Sequence, residues 1–237
     1  MEPNRLNATQ TRSTSTYDVG LREHFRRVYN MMGAGLVVTG LVAWFTSQSP
    51  ELFAQIHGTW LGLVVALAPL GIIFLGLNPR KVMTMNMGSV YGLFFALTAL
   101  IGLSMSYIFV AYTGTSIART FFITAATFAA MSIWGYTTKK DLSTMGSFLM
   151  MGIIGLIIAS IVNMFLGSSM LQFIVSVAGV GIFTLMIAFD TQAIKETYSA
   201  SHGNDVNNRL AVMGALSLYI DTINLFQFLL QFLGNRE

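Results

Sequence analysis

The sequence predicts an all-α membrane protein, a seven-transmembrane-helix bundle. Three observations carry that reading. Apolar residues make up 54% of the 237 positions and charged residues only 10%, against roughly 25% charged in a soluble domain. Seven stretches are apolar over about the 20 residues that a spanning helix needs. Lys and Arg gather on alternate loops, as the positive-inside rule requires. So few charges could not cover a water-soluble fold of this size, and mean hydropathy is +0.65. Disorder fails on the same composition, because disordered chains are polar and highly charged.

In chain order, the first stretch runs from about Val28 to Thr46 and the second from Trp60 to Leu77. The third covers Gly88 to Val110 and the fourth Ile117 to Tyr136. The fifth covers Thr144 to Leu166, the sixth Leu171 to Phe189 and the seventh Leu210 to Leu233. The runs are continuously apolar, whereas barrel strands alternate over about ten residues. Arg5, Arg12, Arg22, Arg26 and Arg27 precede the first stretch, and the next loop, Ser47 to Thr59, has no Lys or Arg. Arg80 and Lys81 follow, then Lys139 and Lys140, then Lys195 and Arg209, with uncharged loops between. Arg119 and Arg236 alone depart from the alternation. Positive loops stay in the cytoplasm, which places the N-terminus inside, the C-terminus outside, and an odd number of spans between them.

Residues 1–20 read as a short disordered cytoplasmic tail, polar from Met1 to Asp18 and without the apolar core of a signal peptide. Residues 21–237 form the membrane domain. Lipid gives no hydrophobic drive to helix association, so small residues mark close packing. Gly88 with Gly92, Gly58 with Gly62, Gly152 with Gly155, and Gly33, Gly35 and Gly40 are read as contact points between helices. The 15 Met are adaptable packing residues.

Ionisable groups at membrane depth are costly and point to function. Asp221 lies about 16 Å into the seventh stretch at ~1.5 Å per residue, near the bilayer midplane. An ionised carboxylate there costs roughly 3 kcal/mol on insertion scales, so it needs a proton, a hydrogen-bond partner or water. Gly214, Ser217, Asp221, Asn224, Gln227 and Gln231 fall within an arc of about 140°. That polar stripe serves either as a pathway lining or as a set of interhelical hydrogen bonds worth ~0.6 kcal/mol each. Asp190 ends the sixth apolar run, where Ala193 to Tyr198 still reads as helix. Antiparallel sixth and seventh helices can bring Asp190 and Asp221 together.

Other chemistries find no residues. Cys is 0, which removes disulfides, thiolate metal sites and thiol nucleophiles. His24, His57 and His202 lie in or near loops and share no ligand spacing, and no HExxH, GxSxG or Walker sequence occurs. Gly203 to Asn207 lacks the later Gly and Glu of a calcium loop. Leu218-Tyr219-Ile220 precedes Asp221 where an intramembrane aspartyl protease carries glycines. The chain reads as no enzyme, with no cofactor. A net charge of +3, spread over loops, gives no nucleic-acid surface.

At the two aspartates the sequence resembles the Bax inhibitor-1 (transmembrane Bax-inhibitor-motif) family, most closely its bacterial inner-membrane members. The likeness rests on Leu21-Arg22-Glu23-His24-Phe25, Val28-Tyr29, and Trp134 to Ser143. It continues through Gly152 to Gly155, Ala188-Phe189-Asp190-Thr191-Gln192, and Leu218 to Phe226. The resemblance implies six helices around a central, polar seventh. It implies a paired-carboxylate pH sensor at Asp190 and Asp221, latched by a basic residue from the second helix, for which Arg80 is the candidate. It implies a pH-sensitive calcium leak in the bacterial inner membrane, with the C-terminus periplasmic. It also implies, for some relatives, regulation of a membrane-bound AAA protease.

The expected mechanism follows from the pair. Two carboxylates in one low-dielectric site do not readily both ionise, and they titrate as a unit. One shared proton ties the sixth helix to the seventh and closes the pathway. Its loss leaves repulsion and a dianionic site that holds calcium transiently, with Arg80 offsetting part of the charge. The lipid bilayer, calcium ions and protons are the expected partners. The alternative is a non-conducting regulator acting through the tail and cytoplasmic loops. A transporter is disfavoured by the want of broken helices or a duplicated half-repeat.

Overall fold

Short polar residues stop and start the helices. Asn78 accepts a bond from Arg80 N and Asn86 from Gly88 N, while Thr113 and Ser168 cap the helices that follow them in the same way. Their side-chain oxygens satisfy first-turn N–H groups that have no intrahelical partner. Gly167 closes another helix in the left-handed region, at φ 61, where a Cβ would be strained. The computed structural model describes the backbone of residues 3–235 and the side chains of residues 19–235. The tail expected to be disordered lies, all but its last two residues, outside the described side chains.

The helices are α1 (Pro3–Gln48), α2 (Pro50–Gly58), α3 (Leu61–Gly71, continued by a π turn to Gly76) and the short α4 (Pro79–Val82). Then come α5 (Met87–Met105), α6 (Ile108–Ala111), α7 (Gly114–Thr137), α8 (Ser143–Leu166), α9 (Ser169–Thr197) and α10 (Gly203–Leu233). No strand occurs among the described residues. Among the described residues, six helical segments are long and apolar enough to cross a membrane. A seventh crossing exists only if the bent pair α2 and α3, at 75°, is one span.

The second stretch, expected from Trp60 to Leu77, is helical from Leu61 to Gly76, but it follows the 75° bend from α2 and ends in a π turn. Pro69 sits inside α3, where it has no N–H to give and crowds the carbonyl one turn back. That carbonyl, on Val65, is taken up by the Ser104 hydroxyl of α5 at 3.1 Å. The widened π turn at Ile72–Gly76 follows, with Leu77 N bonding Ile72 O at 2.7 Å. At the bend, Thr59 Oγ1 donates to Gln55 O at 2.6 Å and accepts from Leu61 N at 3.2 Å, so the break is hydrogen-bonded.

Burial is uneven. In α10, 61% of the most apolar window is buried, against 17% in α8 and 39% in the helix through α5. α10 packs on α9, α1, α7 and α5. Tyr219 of α10, fully buried, bonds Thr39 Oγ1 of α1 at 2.6 Å, and Thr39 Oγ1 bonds Thr98 O of α5 at 2.9 Å. The glycine contacts are partly those expected. A Cβ on Gly35 would meet Phe94 and Thr98, and one on Gly152 would meet Ile182. Gly33, Gly40, Gly58, Gly92 and Gly155 face open space instead. The tightest approach to a backbone atom is at Gly135 of α7, where a Cβ would lie 2.3 Å from Ala188 O of α9. Spacing alone does not say which face of a helix a glycine occupies.

Candidate functional site

The site sits where the sixth and seventh apolar stretches meet. α9 carries Asp190 about 10 Å before its end, and α10 carries Asp221 about 27 Å after its start. The two antiparallel helices are staggered, and the stagger brings the carboxyl groups side by side. Asp221 is 3% exposed and Asp190 half-buried. Their side chains lie within hydrogen-bonding reach of each other, and Ser217, one turn before Asp221, lies beside Asp190. Two ionised carboxylates are both acceptors only. A bond between them requires a proton on one. Asp221 Oδ2 is buried and has no hydrogen-bond partner among the described residues.

A chain of hydroxyls ends on Thr191, the residue after Asp190. Tyr29 Oη of α1 bonds Ser132 Oγ of α7 at 2.6 Å, and Ser132 bonds Thr191 Oγ1 of α9 at 3.2 Å. Thr191 in turn donates to Ile187 O at 2.7 Å. The residue after it, Gln192, accepts from Leu142 N at 2.7 Å and donates to Lys140 O at 2.8 Å. Lys195 donates to Tyr136 O at 2.8 Å. These bonds fix the end of α9 that bears Asp190 to α7 and to the loop after it.

The remaining polar stripe divides. Ser217 belongs to the aspartate pair. Asn224 turns back on its own helix, donating to Ile220 O at 2.8 Å. Gln231 accepts from Gln172 of α9 at 2.7 Å, and Gln172 accepts from Asn163 of α8 at 3.1 Å. That end of the stripe is an interhelical hydrogen-bond network. Gln227 is half-buried.

Arg80 is not at the pair. It is exposed, and its described bond is from its backbone N to Asn78 Oδ1. Nearby Val82 offers its carbonyl to the guanidinium of Arg209, twelve residues before Asp221 on α10. That level is about 18 Å from Asp221 along the helix, too far for a latch by Arg80. Arg209 itself is what the sequence reading missed. Taken there as a loop charge, it is 8% exposed, paired to Asp205 at 2.9 Å, and also donates to Met85 O. The Asp205–Arg209 spacing of four residues was the available signal. His24 is likewise corrected, from near a loop to the buried face of α1, 3% exposed and against Tyr198.

Among the described residues no three or more His, Cys, Asp or Glu side chains cluster to hold a metal. Two carboxyl groups and one hydroxyl fall short of the 6–8 oxygens that calcium takes. The pair does not by itself enclose such a cation.

The family model described as inhibitor of apoptosis-promoting Bax1 matches residues 21–237. The protein named RP147 from Rickettsia prowazekii is 45% identical over 232 residues, covering 97% of this chain and 96% of its own. The Escherichia coli K12 inner membrane protein YbhL is 40% identical over 223 residues, covering 92% of this chain and 94% of its own. A Streptococcus pyogenes serotype M1 membrane protein is 34% identical over 223 residues, covering 93% and 96%.

Proposed function

The chain belongs to the Bax inhibitor-1 family of membrane proteins, and on that premise we propose that it is a pH-sensitive calcium leak of the bacterial inner membrane, gated by Asp190 and Asp221. The close approach of the two buried carboxyl groups supports this reading. Asp221 is the donor, being the more buried and having no other donor aimed at it. Asp190 is the acceptor, helped by the Ser217 hydroxyl. While the proton is held, α9 and α10 are tied and the path is closed. Its loss puts two like charges in contact in a low-dielectric site. The pair then favours separation and draws a passing calcium ion.

The arrangement proposed is seven spans, with α2 and α3 as one bent span and α10 the central polar helix. The N-terminus is cytoplasmic and the C-terminus periplasmic. No catalytic step is involved. The alternative, a non-conducting regulator of a membrane-bound AAA protease, has no observation of its own in the described residues.

The sign of the pH dependence follows. The closing bond is complete while the pair keeps one proton and fails as pH rises through its upper titration. Calcium efflux from proteoliposomes should therefore increase across roughly pH 6 to 8, the range of a strongly perturbed carboxyl pair. Asp221→Asn keeps a donor toward Asp190 and removes the proton, so efflux should lose its pH dependence. A profile unaltered in both Asp190→Asn and Asp221→Asn would remove the sensor.

A further inference from the structure

α1 and α7 both pack on α10, yet hardly on each other. Between them runs a crevice of two neighbouring cavities with Phe128 in the lining of both. The first, of about 670 Å³, has Arg22 and Arg26 at one end and Phe25, Ala129 and Ile133 along its walls. The second, of about 450 Å³, continues it with apolar walls that include Leu36 and Phe121. We propose that this crevice binds an anionic glycerophospholipid of the cytoplasmic leaflet, its phosphate on Arg22 and Arg26 and one acyl chain laid between α1 and α7.

The chemistry of the walls selects that occupant. The crevice is cationic at one end only. Arg22 and Arg26 are exposed, and Arg22 has no ion pair among the described residues. Arg26 shares Glu23 at 2.9 Å in a surface contact. Beyond the arginines and the Tyr136 hydroxyl, the hydroxyls of the walls are already bonded. Tyr29 and Ser132 are bonded to each other. Thr124 and Thr222 spend their hydroxyls on Thr120 O and Leu218 O. A ligand charged at one end and apolar along the rest is an amphiphile. The lengths agree: Arg26 to Leu36 is about 15 Å along the helix, half of a bilayer core of ~30 Å. An acyl chain headed at Arg26 therefore reaches the second cavity. Guanidinium groups bind phosphate by paired N–H bonds, and basic residues at this level favour anionic lipid.

The experiment uses the full chain, delipidated in neutral detergent, and native mass spectrometry. Phosphatidylglycerol and phosphatidylethanolamine with the same acyl chains are the probes. Phosphatidylglycerol should be retained about thirtyfold better, the order expected from two cations near a net negative headgroup charge that phosphatidylethanolamine lacks. Arg22→Ala with Arg26→Ala should erase that preference. Ala129→Trp should displace both lipids, and Ala125→Phe in the second cavity serves as an independent filler if the first variant loses helical content. Equal retention of the two lipids overturns the proposal. So does a charge preference that survives both fillers, which would place the lipid outside the crevice. A co-purifying polypeptide displaced by Ala129→Trp overturns it in favour of a protein occupant.

Discussion

Tyr219 and Arg209 show how single polar groups hold α10 in an apolar surround. Thr39 spends its one proton on Thr98 O, so Tyr219 must donate to Thr39. Tyr219→Phe removes that donor and keeps the ring. It should lower stability by about 1 kcal/mol, read as an earlier thermal transition in detergent. Arg209→Met strands the carbonyls of Val82 and Met85. Buried unpaired groups cost about 1–3 kcal/mol each, so this loss should be the larger. Asp221 was legible from sequence because its depth follows from counting along one apolar run. Arg209 was not, since a charge just outside an apolar run looks the same whether it faces water or caps a neighbouring loop.

Helices and their packing faces differ in the same way. The six long spans were legible because each is a sustained apolar run. The bend at α2 and α3 was not, although Pro50, Gly58 and Pro69 stand in the sequence. A proline in a membrane helix is tolerated when a neighbour takes up the freed carbonyl, and the neighbour here, Ser104, is 39 residues away from Val65. Glycine faces were legible only in part. Gly135→Ala should destabilise by about 1–3 kcal/mol through overpacking against the α9 backbone. Gly92→Ala, with nothing within 4 Å, should be neutral or stabilising by up to about 1 kcal/mol from helix propensity. Comparing the two melting transitions separates contact from spacing. Equal shifts would mean that α7 and α9 do not meet at Gly135.

At the level of the whole molecule, the described contacts converge on α10. Its neighbours α1, α5, α7 and α9 each reach it, and its one buried acid lies beside Asp190 of the helix before it. Family membership was legible in short motifs that the fold scatters, from Arg22 on α1 to Phe226 on α10. The meeting of Asp190 with Asp221 was legible as a possibility of antiparallel neighbours. The failure of Arg80 to join them was not, because the level of a loop depends on how the preceding span bends. The proposed gate rests on one proton between two carboxyl groups. Infrared difference spectroscopy of the protein in liposomes observes that proton directly, through the carbonyl band of a protonated acid. The band should be present while the leak is closed and vanish in a single step as calcium efflux begins. In Asp221→Asn the band should no longer appear or vanish together with efflux. Two aspartates ionised throughout, with efflux still changing with pH, would contradict the shared proton.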